Sequence, residues 1–193
     1  MPRPPQIHVD PLPYEARLAA RAASDVSLVV IHCTELPDLA TAREYGERVL
    51  YPPREEGGGG TGNSGHYYID RDGTLHRWVA HARVAHHVRG HNARSIGIEL
   101  VNTGRHPHWL DSRHQAMRED YPDAQVDALV SLLRWLQTEL PALASIAGHE
   151  DLDTDEVEAS DDPALRVRRK QDPGPRFPWA RVLDAVGLQR IAG

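Results

Sequence analysis

At 193 residues the chain is long enough for one domain with a full core, and 40% hydrophobic with 26% charged content is that of an ordinary globular protein. Its 22 basic and 28 acidic residues give a formal net charge of −6, which argues against nucleic acid or an anionic membrane surface as the main partner. The single cysteine, Cys33, excludes an internal disulfide, and the polar start Met-Pro-Arg-Pro-Pro-Gln lacks the apolar core of a secretory signal or membrane span, so the cytoplasm is the expected location.

Residues 1–24 read as an N-terminal extension whose Glu15–Ala23 part forms a short helix leaning on the domain. The Leu28-Val29-Val30-Ile31 run predicts a strand buried on both faces and ends in His32, where mixed α/β proteins place ligand-binding groups, although a lone histidine there is more often structural. Cys33 reads as a buried thiol. Pro37-Asp38 starts a helix over 39–50 that stops at Pro52-Pro53. The glycines 57–60 are not a phosphate-binding loop, because no Lys-Ser/Thr follows them and a strand pattern, not a helix, comes next. They read as the rim of a site. Two strand patterns, His66–Asp70 and Thr74–Val79, flank an Asp72-Gly73 hairpin signal. In the strand Ser95–Val101, Ile96, Ile98 and Leu100 share one face while Gly97, Glu99 and Val101 share the other. Glu99 is thus a carboxylate in an apolar strand, which needs a partner or a task.

The long polar connection from Asn102 to Tyr121, with His106, His108 and His114, has the length of loops that line clefts. Asp123 caps an amphipathic helix over 125–140 with Val126, Leu129, Val130, Leu133 and Leu136 on its stripe. Leu143–Ala147 is a short apolar run that stops at Gly148-His149, repeating the strand that stops at His32. Side by side, the two would bring both imidazoles to one edge of a sheet, as a metal site requires. Residues 151–168, acidic then basic, read as a solvated excursion, and Pro178 opens a last helix over 178–186 ended by Gly187. The fold class is α/β: a single domain with a central mixed sheet of five or six strands flanked by helices.

Six segments, Val30–Thr34, His66-Tyr67 with Asp70–Gly73, Ala85–His87, Ser95–Leu100, Gly148–Asp151 and Lys170–Pro175, follow one another in an order that resembles the zinc-dependent N-acetylmuramoyl-L-alanine amidases of the amidase type 2 family, the AmpD-like members above all. The resemblance implies an amidase catalytic domain over 25–187 with the fold shared by peptidoglycan recognition proteins. It further implies one zinc ion per chain held by His32, His149 and Asp172, with Glu99 as general base and Lys170 as oxyanion stabiliser. His66 and His87 match positions near the cleft, and Arg94, with Arg89, offers cationic contacts to substrate carboxylates. The expected substrate is the amide between N-acetylmuramic acid, or its anhydro form, and L-alanine in peptidoglycan fragments. Action on intact wall, a binding module without catalysis, and a zinc peptidase stand as alternatives. Two features depart from the pattern: Gly65 stands where some relatives carry tyrosine, and the 151–170 segment is long, as in phage amidases.

Overall fold

The computed structural model describes residues 4–55 and 58–191. The elements in chain order are β1 (Ile7–Val9), β2 (Leu28–Cys33), α1 (Leu39–Glu47), β3 (Tyr67–Ile69), β4 (Leu75–Arg77), β5 (Ser95–Leu100), α2 (Asp123–Glu139), β6 (Ser145–Gly148), α3 (His149–Leu152), β7 (Glu156–Glu158), β8 (Arg166–Arg168), α4 (Trp179–Val186) and β9 (Gln189–Arg190). One sheet runs β1-β4-β3-β5-β2-β6-β9. Only its β3–β4 hairpin, joined through Asp72-Gly73, is antiparallel. The other pairings are parallel, which makes the sheet mixed as expected. It has seven strands instead of five or six, because the edge strands β1 and β9 are too short to leave a period in the sequence.

The two faces of the sheet follow from side-chain alternation. Val29 and Ile31 of β2 and Ile96, Ile98 and Leu100 of β5 pack against Val126, Leu129, Leu132, Leu133 and Leu136 of α2 and Val182 of α4. Leu28 and Val30 point to the opposite face, where they meet Val88 and Ala147. That face also holds Leu12, Tyr14, Leu36, Ala42, Tyr68 and Trp78 beneath α1. Asp38 caps α1 by accepting a hydrogen bond from the Thr41 amide. The helix ends at Glu47, three residues earlier than expected, and leaves Val49 and Leu50 more than half exposed.

Glu15–Ala23 is not one helix. It forms a 3-10 turn at Glu15–Arg17, an extended stretch, and a second turn at Ala23–Asp25. The Ala/Arg composition favours helix, but Leu18 is buried and Arg21 donates to the carbonyl oxygens of His81, Asn92, Ala93 and Ser95, contacts that a continuous helix would not present. The 151–168 excursion contains an antiparallel hairpin, β7–β8, in which Glu156 lies opposite Arg168 and Glu158 opposite Arg166. Opposite charges across the strands account for the acidic-then-basic order. Among the described residues no helix is long and apolar enough to cross a membrane.

His81 anchors the sheet's end, its Nε2 in close contact with the Tyr67 hydroxyl and its ring beside Trp135. Burial, aided by Arg77 and Arg21, pushes its pKa down to about 4. The unfolded chain therefore takes up the proton first, so this stabilisation is complete above about pH 6.5 and is lost as pH falls toward 4. With metal chelated, denaturant unfolding at pH 7 and pH 5 should show His81→Gln losing about 2 kcal/mol less than the wild type over that interval.

Candidate active site

Parallel strands end at one edge, and here the register aligns their chemistry. His32 of β2 lies opposite Glu99 of β5, which lies opposite Tyr68 of β3, so the three occupy one row on one face. β6 pairs Gly148 with Ile31, which sets His149, the first residue of α3, beside His32 with ring centroids 4.6 Å apart. Asp172 arrives from the turn before α4. Its Oδ2 lies 2.9 Å from His32 Nδ1 and 3.2 Å from His149 Nδ1. All three residues are buried, between 2% and 4% exposed.

A chain of hydrogen bonds assigns the proton on His32. Ser95 Oγ donates to the His91 carbonyl at 2.8 Å, so at 3.1 Å it must accept from His87 Nε2. His87 Nδ1 is then bare and accepts from His32 Nε2 at 3.0 Å. The proton of neutral His32 is thereby committed to Nε2, and its Nδ1 lone pair faces a carboxylate oxygen. Burial pushes the His32 pKa down to about 4, so a second ring proton is not held at neutral pH. Asp172 Oδ1 is buried without a partner. Acceptors facing one another in a buried place call for a cation, and two imidazoles with one carboxylate suit a zinc-type ion with an open position. The three donor atoms lie within 4.8 Å of one another. The geometry of His87 depends on Gly97, where an added Cβ would lie 2.6 Å from the ring.

The cluster forms the floor of a cleft of about 1150 Å³, lined also by Glu99, Lys170, Tyr68, Tyr51 and Asn63. Burial pushes the Glu99 carboxyl well above the usual carboxylate range, with the charge of Asp172 adding and that of Lys170 opposing. Gly65 is required beside it, since a Cβ there would lie 2.8 Å from Glu99 Cγ. In this chain the Gly65 amide instead donates to the hydroxyl of Tyr68 at 3.1 Å. Arg17, Arg48, Arg54, Arg89 and Arg169 line the same cleft, a cationic rim on an acidic protein.

Of the residues singled out in the sequence, His32, His149, Asp172, Glu99, Lys170 and His87 come together in this cleft. His66 does not open into it. It is wholly buried behind Gly97, accepting from that amide at Nδ1, with Nε2 lying 2.8 Å from the Arg21 guanidinium and 3.1 Å from the Arg83 carbonyl, and burial and Arg21 hold its pKa well below the usual value. Arg94 is also elsewhere: its guanidinium lies against His91, and Arg89 reaches the cleft instead. Sequence reading missed Tyr68, Ser95 and the pair Glu35–Arg105 in the cleft wall. It also passed over a signal: Lys170 is the sole lysine among the 22 Lys and Arg residues.

Residues 22–175 match the family model described as N-acetylmuramoyl-L-alanine amidase. The 1,6-anhydro-N-acetylmuramyl-L-alanine amidase AmpD of Enterobacter cloacae is 33% identical over 122 residues, which cover 58% of this chain and 51% of that protein. The chain thus spans about half the length of that relative. Among solved structures, the endolysin N-acetylmuramoyl-L-alanine amidase LysCS from Clostridium intestinale superposes with a TM-score of 0.64 at 19% identity, covering 98% of this chain and all of that one. The Drosophila peptidoglycan recognition protein PGRP-LB superposes with a TM-score of 0.58 at 18% identity, covering 92% of this chain and 93% of that one. At such identities these likenesses establish the fold: the mixed sheet with flanking helices is the one the sequence motifs imply.

Metal-free protein titrated with zinc should bind about one equivalent, and His32→Ala, His149→Ala and Asp172→Ala should each abolish tight binding. Ser95→Ala should weaken affinity by about 10-fold, since it frees the ring that fixes the His32 tautomer. Competition with a chromophoric chelator measures both; unchanged affinity in Ser95→Ala would remove that chain of hydrogen bonds from the site.

Proposed function

The chain belongs to the N-acetylmuramoyl-L-alanine amidase family, and on that premise we propose that it hydrolyses the amide between muramic acid, reducing or anhydro, and the L-alanine of a peptidoglycan stem peptide, with one zinc ion per chain. The observation that carries the reading is the buried His32–His149–Asp172 cluster, where two acceptors face one another on the floor of a cleft walled by Glu99 and Lys170. Zinc held by those three residues would supply Lewis-acid polarisation of the amide carbonyl and a more acidic water. Catalytic work falls to residues 25–187, to which the preceding segment adds the edge strand β1 and the buried side chains of Leu12, Tyr14 and Leu18.

Glu99 accepts the proton of the attacking water and returns it to the departing nitrogen of L-alanine. Burial makes its carboxyl hold a proton more readily than an exposed carboxylate does, which suits a group that must both accept a proton and return it. Lys170 supplies a fixed positive charge to the oxygen of the scissile carbonyl as negative charge develops. His87 holds His32, and His66 holds the Gly97 strand from behind. The arginine rim attracts the carboxylates of the stem peptide.

Soluble anhydromuropeptides in the cytoplasm are the substrate we favour, supported by the likeness to a relative described as a 1,6-anhydro-N-acetylmuramyl-L-alanine amidase. One feature favours a second reading, action on wall polymer: the lining of the cleft extends from His32, His149 and Asp172 to Tyr51 and Asn63. Mass spectrometry of products from a soluble disaccharide-anhydro tripeptide and from purified sacculi separates the two. Intact lactyl-amide bonds in both, with bound but uncut substrate, would leave only a binding module. Cuts confined to peptide bonds would make the protein a peptidase.

Glu99→Gln and Lys170→Ala should retain zinc and the fold yet lose about 10²- to 10³-fold in kcat on the preferred substrate. KM for an acidic stem peptide should rise with added salt, because the attraction of the rim is screened, and an amidated stem peptide should blunt that rise. Steady-state kinetics across an ionic-strength series checks both.

A further inference from the structure

The most buried arginine–carboxylate pair among the described residues lies in the cleft wall. Glu35, two residues beyond Cys33, is 6% exposed and has φ 49°, the only positive φ outside glycine among the described residues. Such a backbone is strained and persists where the surroundings fix it. Its carboxylate takes a two-pronged grip from Arg105, Nε to Oε1 at 2.7 Å and Nη2 to Oε2 at 2.9 Å. The Trp109 indole N–H donates to the Glu35 carbonyl at 3.0 Å and holds the turn from the other side.

The other hydrogens of the guanidinium reach the segment that carries Lys170. Nη1 donates to the Arg168 carbonyl at 2.9 Å and to Gln115 Oε1 at 3.1 Å, and Nη2 donates to the Arg169 carbonyl at 3.3 Å. All five donors of Arg105 are thereby used. The same Gln115 oxygen accepts from Gln171 Nε2 at 2.8 Å. Lys170 is thus bracketed, two carbonyls on its N-terminal side and one side chain on its C-terminal side. Its own ammonium has no hydrogen-bond or ion-pair partner among the described residues, so its place in the cleft is set through the main chain.

We infer that Glu35 and Arg105 form a clamp that positions Lys170: the ion pair ties the exit of β2, which carries His32, to the main chain at 168–169 and so sets the distance between Lys170 and the metal ligands. The inference rests on the proposed role of Lys170. For stability alone an apolar pair of similar volume would serve as well, since the desolvation of two buried charges offsets most of their attraction. What apolar residues cannot supply are the donors to the Arg168 and Arg169 carbonyls.

The test uses the double substitution Glu35→Leu/Arg105→Met, which removes both charges together, and Gln115→Ala, which removes only the link to Gln171. Because Lys170 is the sole lysine, reductive methylation with ¹³C-formaldehyde labels it and the chain terminus alone. With zinc bound, the Lys170 dimethyl resonance should move toward the free-lysine position in the double variant, while the terminal resonance stays. On unlabelled protein, kcat should fall by about 10- to 100-fold with KM retained, and in a Lys170→Ala background neither substitution should lower kcat further. Should the double variant fail to fold, Gln115→Ala carries the same pair of readouts with a smaller fall in kcat. An unmoved Lys170 resonance, or losses that multiply with Lys170→Ala, would overturn the clamp. A moved resonance in a protein with no amidase activity at all would uphold the clamp and overturn the reading of Lys170 as catalytic.

Discussion

The site depends first on the in-register parallel pairing of β5, β2 and β6. Parallel pairing makes three strand ends coincide, and the alternation of side chains then decides which groups share the open face. A slip of one residue in β2 would turn His32 toward α2 and bring Cys33 into its place, burying an imidazole among leucines. The fully apolar strands on both sides of that register are what prevent the slip: Val29 and Ile31 are held by α2, Leu28 and Val30 by the opposite layer. The chemistry is thus carried by a frame whose rigidity comes from hydrophobic burial on two faces.

Order at the His32–His149–Asp172 cluster is then a matter of proton placement. Ser95, His87 and His32 hand the same donor-to-acceptor sense along the row, and its last member presents a lone pair to Asp172. The sequence contains every member of this row but gives no hint of its direction, because Ser95 and His87 are brought together only when the loop 85–92 folds back over Gly97. Long elements with a strong period were legible: β2, β5, α2 and the histidine that follows β6. So was the grouping of His32, His149 and Asp172, because six motifs in order constrain one another more tightly than any of them alone.

What the sequence concealed falls into two kinds. Glu15–Ala23 has helical composition and no helix, since a buried Leu18 and an arginine serving four carbonyls outweigh local preference. Arg94 and Arg89 are five residues apart in the same histidine-rich loop, and only the turn at Asn92–Arg94 decides that the second reaches the cleft while the first packs on His91. Charge composition misleads in a similar way. A net charge of −6 describes the surface average, whereas the cleft collects arginines from four distant segments and buries its carboxylates among them.

The β7–β8 hairpin has a consequence for how such a protein changes over generations. Its two strands pair with each other and not with the seven-stranded sheet, acid facing base along their length. Its tip rests on the 110–112 loop, Ser160 donating to the Leu110 carbonyl and Asp161 accepting from Ser112, so residues gained or lost there would reshape that outer surface without shifting β2, β5 or β6. That outer surface and the buried His32–His149–Asp172 cluster can therefore drift independently, one under selection for what it meets, the other held still by the frame beneath it.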